Sequence, residues 1–360
     1  MSGPKGPDAG ALASSGLSCP VPTGEGDRVL LGHGSGGKLS AALVRDRFLP
    51  RFANPALAVL GDGAEVVLGT ERMAISTDTF VVSPLEFPGG DIGLLAVHGT
   101  LNDVAMMGAE PVCLSTGFVL EEGLPLALLD RVLQSMSDAA RQAGVPIVTG
   151  DTKVVERGKA DGMFINTTGV GRLRDDFRPA PDRARPGDAV LVSGSLGRHG
   201  IAVMAAREGL GFEVDVESDT ANLGPLVENL RVACGDRVRA LRDPTRGGVA
   251  SALNEIAAAS GVAISLDGAA IPVPLPVAAA CEVLGLDPLY VANEGVLIAV
   301  VAAGAADLAL QALRAHPVGG GAVWIGEVAD RPAGMVTLRT GLGGSRVVDM
   351  LPGDQLPRIC

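Results

Sequence analysis

Aromatic side chains make up only 3% of the 360 residues, with a single Trp and a single Tyr. The core must therefore be built from Ala, Val and Leu. Basic charge is short too: 29 Lys and Arg against 41 Asp and Glu give a formal net charge of -12. No basic field is available to release counterions from nucleic acid or to hold an anionic membrane. Any phosphate must be bound locally, through backbone amides, a lysine and metal ions. The five cysteines, at positions 19, 113, 234, 281 and 360, are odd in number and widely scattered. That excludes a disulfide framework and a zinc-ligand spacing, and it fits the reducing cytoplasm.

The first 25 residues hold no apolar h-region, so they read as a disordered tail and not as a signal peptide. Leu17-Ser18-Cys19 resembles a lipoprotein site, but no hydrophobic run precedes it. The longest apolar run, Gly295 to Leu313, is interrupted by Asp307 and Gln311. Its β-branched part, Val296 to Val301, predicts a strand, and Gly304 separates it from a helix over Ala305 to Ala315. No membrane span is expected.

What is present is 47% hydrophobic residues and 50 glycines, enough for a large core with many tight turns. The length suggests two domains. The expected division is a tail over 1–26, a first domain over 27–180, a second over 181–340 and a mobile tail over 341–360. In the first domain, helices are expected over Leu39 to Phe48 and Pro125 to Ala143. Strand patterns cover Glu65 to Leu68, Met73 to Ser76, Val145 to Val155 and Met163 to Val170. A Pro-containing linker near Arg183 to Asp188 leads into a strand over Ala189 to Ser193 and a helix over Ile201 to Glu208. Helices around Leu226 to Cys234, Gly247 to Ala259 and Pro276 to Leu284 follow. The fold class is α/β, with mixed sheets in two domains.

Two nucleotide-binding patterns nearly fit Gly32 to Lys38. Gly32, Gly34 and Gly37 match G-x-G-x-x-G, with Asp62 beyond, but a hairpin pattern follows where a second crossover helix is needed. The same stretch matches G-x-x-x-x-G-K, except that Leu39 stands where a P-loop carries Ser or Thr. What survives is a glycine loop, Gly34-Ser35-Gly36-Gly37-Lys38, able to cover phosphates or simply to turn into a helix.

Acids stand at the ends of apolar strand patterns: Asp62, Asp78 and, after Val145 to Thr149, Asp151 in Gly150-Asp151-Thr152-Lys153. Asn102 and Asp103 lie in a helix pattern, Asp103 on the side opposite much of its apolar stripe. Each alone reads as a cap or turn acid. Together they suggest carboxylates converging on hard cations, as an ATP site requires. Asp243-Pro244-Thr245-Arg246-Gly247-Gly248 is a well-capped helix start with phosphate binding as the alternative, and Glu294 ends a loop before the last long strand. Cys113 and Cys281 read as core residues. The chain ends in Pro357-Arg358-Ile359-Cys360, a thiol on a twenty-residue tail that reaches ~65 Å when extended.

The series Gly32 to Lys38, Ser76 to Thr79, Gly99 to Ala109, Gly150 to Val155, Gly187-Asp188, Ser193-Gly194, His199-Gly200, Asp243 to Gly248 and the terminal Pro-Arg-Ile-Cys resembles the HypE family of nickel–iron hydrogenase maturation proteins. The internal motifs are shared with the wider superfamily of aminoimidazole-ribonucleotide synthetase, selenophosphate synthetase and thiamine-monophosphate kinase; the terminal Cys is the narrow signal. The resemblance implies a PurM-like fold, ATP and Mg²⁺, a homodimer, and partners in a carbamoyltransferase, HypF, and a HypC–HypD scaffold. It implies that a carboxamide built on Cys360 is dehydrated to a thiocyanate. Asp62, Asp78, Asp103 and Asp151 are then expected at the metal and phosphates. Gly34 to Lys38 would form the lid, with Asn102 as a polar contact. Lys153 and Glu294 are the expected bases, although Lys153 alternatively neutralises phosphate. Another ATP enzyme of the superfamily would have no use for Cys360, and a non-enzymatic cyanide carrier none for Lys153 or Glu294.

Overall fold

The computed structural model describes residues 28–207, 215–341, 343–351, 353 and 358–360. The expected N-terminal tail and Pro357 lie outside them. The chain opens with α1 (Lys38–Leu43), a π turn over Val44–Phe48 and α2 (Leu49–Phe52). The helix expected over Leu39 to Phe48 thus runs further. Pro50 does not stop it because it sits in the first turn of α2, where no donor is missed. Then follow β1 (Ala64–Leu68), β2 (Glu71–Phe80), the short β3 (Glu86–Phe87) and β4 (Gly90–Asp91), α3 (Ile92–Met106), β5 (Ala109–Glu121), α4 (Leu126–Ala143), β6 (Ile147–Val155) and β7 (Met163–Leu173).

The first sheet has the order β1-β2-β7-β5-β6. Only β5 and β6 are parallel, as their helical crossover through α4 requires. Helix α4 is amphipathic, burying Val132, Met136, Ala139 and Ala140 at helical spacing. Helix α3 starts where the Leu94 N–H donates to Asp91 Oδ1 at 2.8 Å. It is buried on nearly every side because it touches β2, β5 and β7 on one flank and, on the other, the second-domain segments Gly224–Cys234 and Val238–Arg242. Asp103 is one of the few α3 residues left partly open, facing the cleft between the domains, and it accepts from Ser76 Oγ at 2.6 Å.

The second domain comprises β8 (Ala189–Val192), α5 (Arg198–Ala205), α6 (Gly224–Cys234), β9 (Val238–Arg242), α7 (Gly248–Ser260), β10 (Ala263–Asp267), α8 (Leu275–Leu284), β11 (Ile298–Val301), α9 (Ala306–Arg314), β12 (Val323–Ala329), β13 (Val336–Arg339) and β14 (Ser345–Val347). Its sheet runs β14-β13-β10-β12-β8-β11-β9, antiparallel except at β10–β13. Two apolar layers cover it. One is centred on Val249, Leu253 and Ile256 of α7, and the other on Leu226 and Leu230 of α6 with Leu313 of α9. Met106 and Ala105 of α3 join the second layer, which fuses the two domains along one seam. Among the described residues no helix is long and apolar enough to cross a membrane.

Candidate active site at the domain seam

The glycine loop reaches across this seam. Gly36 has φ +74°, and a Cβ there would stand 2.8 Å from the Arg246 carbonyl oxygen, so the position suits glycine alone. Arg246 Nη1 donates to the Gly34 carbonyl at 3.1 Å. Three of the loop's donors are engaged: Gly36 N–H with Ser40 Oγ at 2.9 Å, Lys38 N–H with the Leu351 carbonyl at 2.8 Å, and Lys38 Nζ with Asp349 at 2.5 Å. The segment leading to the C-terminus thus engages both the N–H and the Nζ of Lys38.

Beneath the loop lies an acidic pocket of about 260 Å³ lined by Asp62, Asp78, Asp103 and Asp243. Ligating oxygens of Asp62, Asp103 and Asp243 all lie within 4.8 Å of one another. Burial pushes Asp78 up, against the pull of Arg246. Burial, then Asp78 and Asp243, hold Asp103 well above the carboxylate range, and burial with Asp78 raises Asp243 to about 7. Arg242 pairs with Asp62 and, at 2.9 Å, with Glu255. Like charges gathered in a dry site are what a hard divalent cation neutralises, so the residues present fit Mg²⁺.

Glu294 is 2% exposed, and its Oε1 has no hydrogen-bond partner. Burial, then Asp243 and Asp219, push its carboxyl well above the usual value. Its N–H donates to Asp219 Oδ1 at 3.2 Å, and burial raises Asp219 to about 6. Arg246 stands amid these acids. The charge at Cys360 first, and after it Asp78, Glu294 and Asp103, hold its guanidinium above the usual value against desolvation.

The chain's own terminus lines an adjoining cavity of about 220 Å³, whose wall Cys360 shares with Gly34, Ser35, Arg246 and Tyr290. The Val81 N–H donates to the Cys360 main-chain oxygen at 2.9 Å, and the Ser83 N–H to the Arg358 carbonyl at 3.2 Å. Ile359 is 3% exposed within the apolar cluster of Phe80, Val82, Phe87 and Val203.

The structure therefore brings Gly34 to Lys38, Asp62, Asp78, Asp103 and Cys360 to one cleft with Glu294 buried beside its acids, and it does not bring Asp151 and Lys153 there within one chain. These two lie exposed on β6 and pair with each other at 2.5 Å. The sheet row Asp78–Thr167–Thr116–Gly150 spans three strand spacings, ~14 Å. Asp151 pairs with Gly117, across from Asn166 and Thr79, and so faces the side of the sheet opposite Asp78. Asn102 is also corrected: its Nδ2 donates to the Ala221 and Glu294 carbonyls at 3.0 and 3.3 Å and its Oδ1 accepts from Leu223 N–H at 2.8 Å. That amide clamps α3 to the second domain and has no group left for a nucleotide. Cys113, expected in the core, is half-buried, whereas Cys281 is buried as expected. Sequence reasoning missed Asp243 as a member of the acidic cluster. The signal was available, since Asp243 follows an apolar strand as Asp62 and Asp78 adjoin theirs, but β9 is only five residues long. Asp219 carried no signal, standing in an irregular segment.

The AIR synthase related protein N-terminal domain matches residues 61–173, and the corresponding C-terminal domain matches residues 185–339. The carbamoyl dehydratase HypE of Cupriavidus necator is 55% identical over 334 residues, covering 92% of this chain and 95% of that protein. A crystal structure of HypE in complex with ATP superposes with a TM-score of 0.78 at 52% identity, covering 92% of this chain and all of the other. HypE in a HypE–HypF complex does so at 0.82 and 46%, covering 86% of this chain and 100% of the other. By two domain matches in order, and by identity above one half across almost its whole length, the chain belongs to the HypE family.

Proposed function

We propose that the chain is an ATP-dependent dehydratase that converts a carboxamide carried on Cys360 into a thiocyanate, the source of a cyanide ligand for the iron of a nickel–iron hydrogenase. The single observation that carries this reading is the position of Cys360: the terminal residue lies against Arg246 and the glycine loop, beside the four-acid pocket. A carboxamide on the sulfur is thereby presented to the place where nucleotide phosphates fit.

Its oxygen attacks the γ-phosphorus of ATP and ADP departs. Both N–H protons are then lost and phosphate leaves with the original amide oxygen, giving S–C≡N. An amide oxygen is a poor leaving group until it is phosphorylated. The protein's part is positioning and charge neutralisation. Arg246 balances charge between the tail and the phosphates. Glu294, buried with an unpartnered oxygen, is held as a base of raised basicity for an N–H proton. Mg²⁺, when held by Asp62, Asp103 and Asp243 with Asp78 beside them, neutralises phosphate charge.

Asp151 and Lys153 enter this scheme through a homodimer. Met73, Ile75, Cys113, Val119, Phe164 and Val170 are half-buried on the same face of the first sheet as Asp151 and Lys153. A second copy covering that face brings its Asp151 and Lys153 toward this copy's cleft, with Lys153 as the second base or as a phosphate contact. A carbamoyltransferase, HypF, loads the thiol in the cytoplasm, and a HypC–HypD scaffold receives the cyanide. Cys360→Ala tests the scheme: ATP binding persists while thiocyanate formation is abolished. Thiocyanate formed on another cysteine of that variant would refute it.

A further inference from the structure

We propose that Val81, Ser83 and His199 form a receptor for the main chain of a C-terminal Arg-Ile-Cys segment, in which His199 is the positioning residue and Ile359 the side chain that is read. This rests on the function proposed above only for the group that the sulfur carries.

The two bonds from Val81 and Ser83 join alternate residues in opposite directions, so the terminus runs antiparallel to the chain just beyond β2 without extending the sheet as a strand. In such a pairing the intervening carbonyl points away from its neighbour. That carbonyl belongs to Ile359, and His199 Nε2 meets it at 2.9 Å. The tautomer follows from the network behind the ring. Thr220 N–H donates to Ser218 Oγ at 3.1 Å, so the Ser218 hydroxyl proton is directed to His199 Nδ1, 2.8 Å away. Nε2–H is left to donate to Ile359. The imidazole is fully buried, with the Phe87 ring edge-on at 5.5 Å. With the tail in place Nε2 is shut away from water and is matched by the Ile359 carbonyl, so the pocket is built to take a carbonyl. Arg207 Nη2 donates to the Arg358 carbonyl at 2.7 Å and its Nε to the Ser83 carbonyl at 2.9 Å, while the Arg358 guanidinium pairs with Asp161.

These bonds all reach main-chain oxygens, apart from the Arg358–Asp161 pair, and the one buried side chain is that of Ile359. The register is therefore the same whatever group the sulfur bears, and a separate peptide ending in Arg-Ile-Ser competes for it.

The test uses the full-length chain without ATP or carbamoyl donor, so it stands apart from the dehydration chemistry. The rate of Cys360 alkylation by iodoacetamide is followed by mass spectrometry of each cysteine-containing peptide. Half-buried Cys113 and buried Cys234 and Cys281 serve as references. His199→Phe keeps a ring but removes the donor, and raises the Cys360 rate about fivefold, the effect of one hydrogen bond. His199→Gln, which restores an N–H donor, brings the rate back toward that of the parent. Millimolar acetylated peptide ending in Arg-Ile-Ser raises the parent's Cys360 rate, and one ending in Arg-Gly-Ser does not. An unchanged Cys360 rate in His199→Phe, no rescue by Gln, equal effects of the two peptides, or a parallel rise at Cys234 and Cys281 would each overturn the assignment.

Discussion

Replacing His199 by Gln should change how stability responds to acid. Burial depresses His199 from 6.5 to about 4, and among the described residues its polar and ring contacts, the Ser218 hydroxyl, the Ile359 carbonyl and the Phe87 ring, carry no charge. The unfolded chain protonates this imidazole as pH falls through 6.5, while the folded chain resists until about 4. The stability it confers is thus present above pH 6.5 and lost progressively toward pH 4. The whole shift corresponds to ~3 kcal/mol, of which ~2 kcal/mol disappears between pH 7 and pH 5. Gln has no proton to gain. At pH 7 the variant is the less stable chain, by ~1 kcal/mol for an imperfectly replaced hydrogen bond. By pH 5 that deficit should close or reverse. Buried carboxyls such as Glu294 and Asp243 are raised and carry the opposite slope, but both chains contain them and they cancel in the difference. Denaturant unfolding of parent and variant at the two pH values measures the offset directly. An offset that is the same at pH 5 and pH 7 would refute the claim that His199 is held neutral.

Glu294→Gln should preserve the fold, since the amide is isosteric and removes a buried charge, yet lower the turnover of thiocyanate formation by ~10²–10⁴-fold, as loss of a general base does. Single-turnover kinetics at saturating ATP reads this, and a loss under tenfold would remove Glu294 from the role of base. Asp243→Asn should raise the Mg²⁺ concentration needed for half-maximal nucleotide binding by at least tenfold, measured by calorimetric Mg²⁺ titration; unchanged dependence would place the cation elsewhere. For the dimer, mixing inactive Lys153→Ala with inactive Glu294→Gln should restore part of the activity, because one of the two shared sites regains both groups. No recovery in mixtures shown to exchange subunits would contradict a site built across two copies.

The sequence disclosed the parts that obey local rules. The helix expected over Pro125 to Ala143 is one, since α4 spans Leu126–Ala143 with its apolar residues spaced along one stripe and a left-handed Gly144 ending it. Strand β5, the longest of the first sheet, was not legible, because Pro111 argues against a central strand. The structure resolves the conflict with a register shift between Pro111 and Cys113, where the missing donor costs no ladder bond. Strands β10 and β13 are five and four residues long, too short to show a period. At the site, acids beside strands were readable as a class, which found Asp62 and Asp78. Membership of the cluster was not, because it depends on how α3 and β9 meet across the domain seam. The same class signal pointed to Asp151, which has the right surroundings in sequence and the wrong face of the sheet in space. His199 was visible only within a motif, since its partner lies 160 residues away at the terminus.

The central claim is that Cys360 is the covalent handle on which the substrate is carried into the ATP cleft. It is tested most directly by mass spectrometry of the C-terminal peptide after treatment with the carbamoyltransferase, carbamoyl phosphate and ATP. The account predicts a carbamoyl adduct on Cys360 that loses one water once ATP acts on it. An adduct on Cys360 that never loses that water, under conditions where ATP binds, would contradict it.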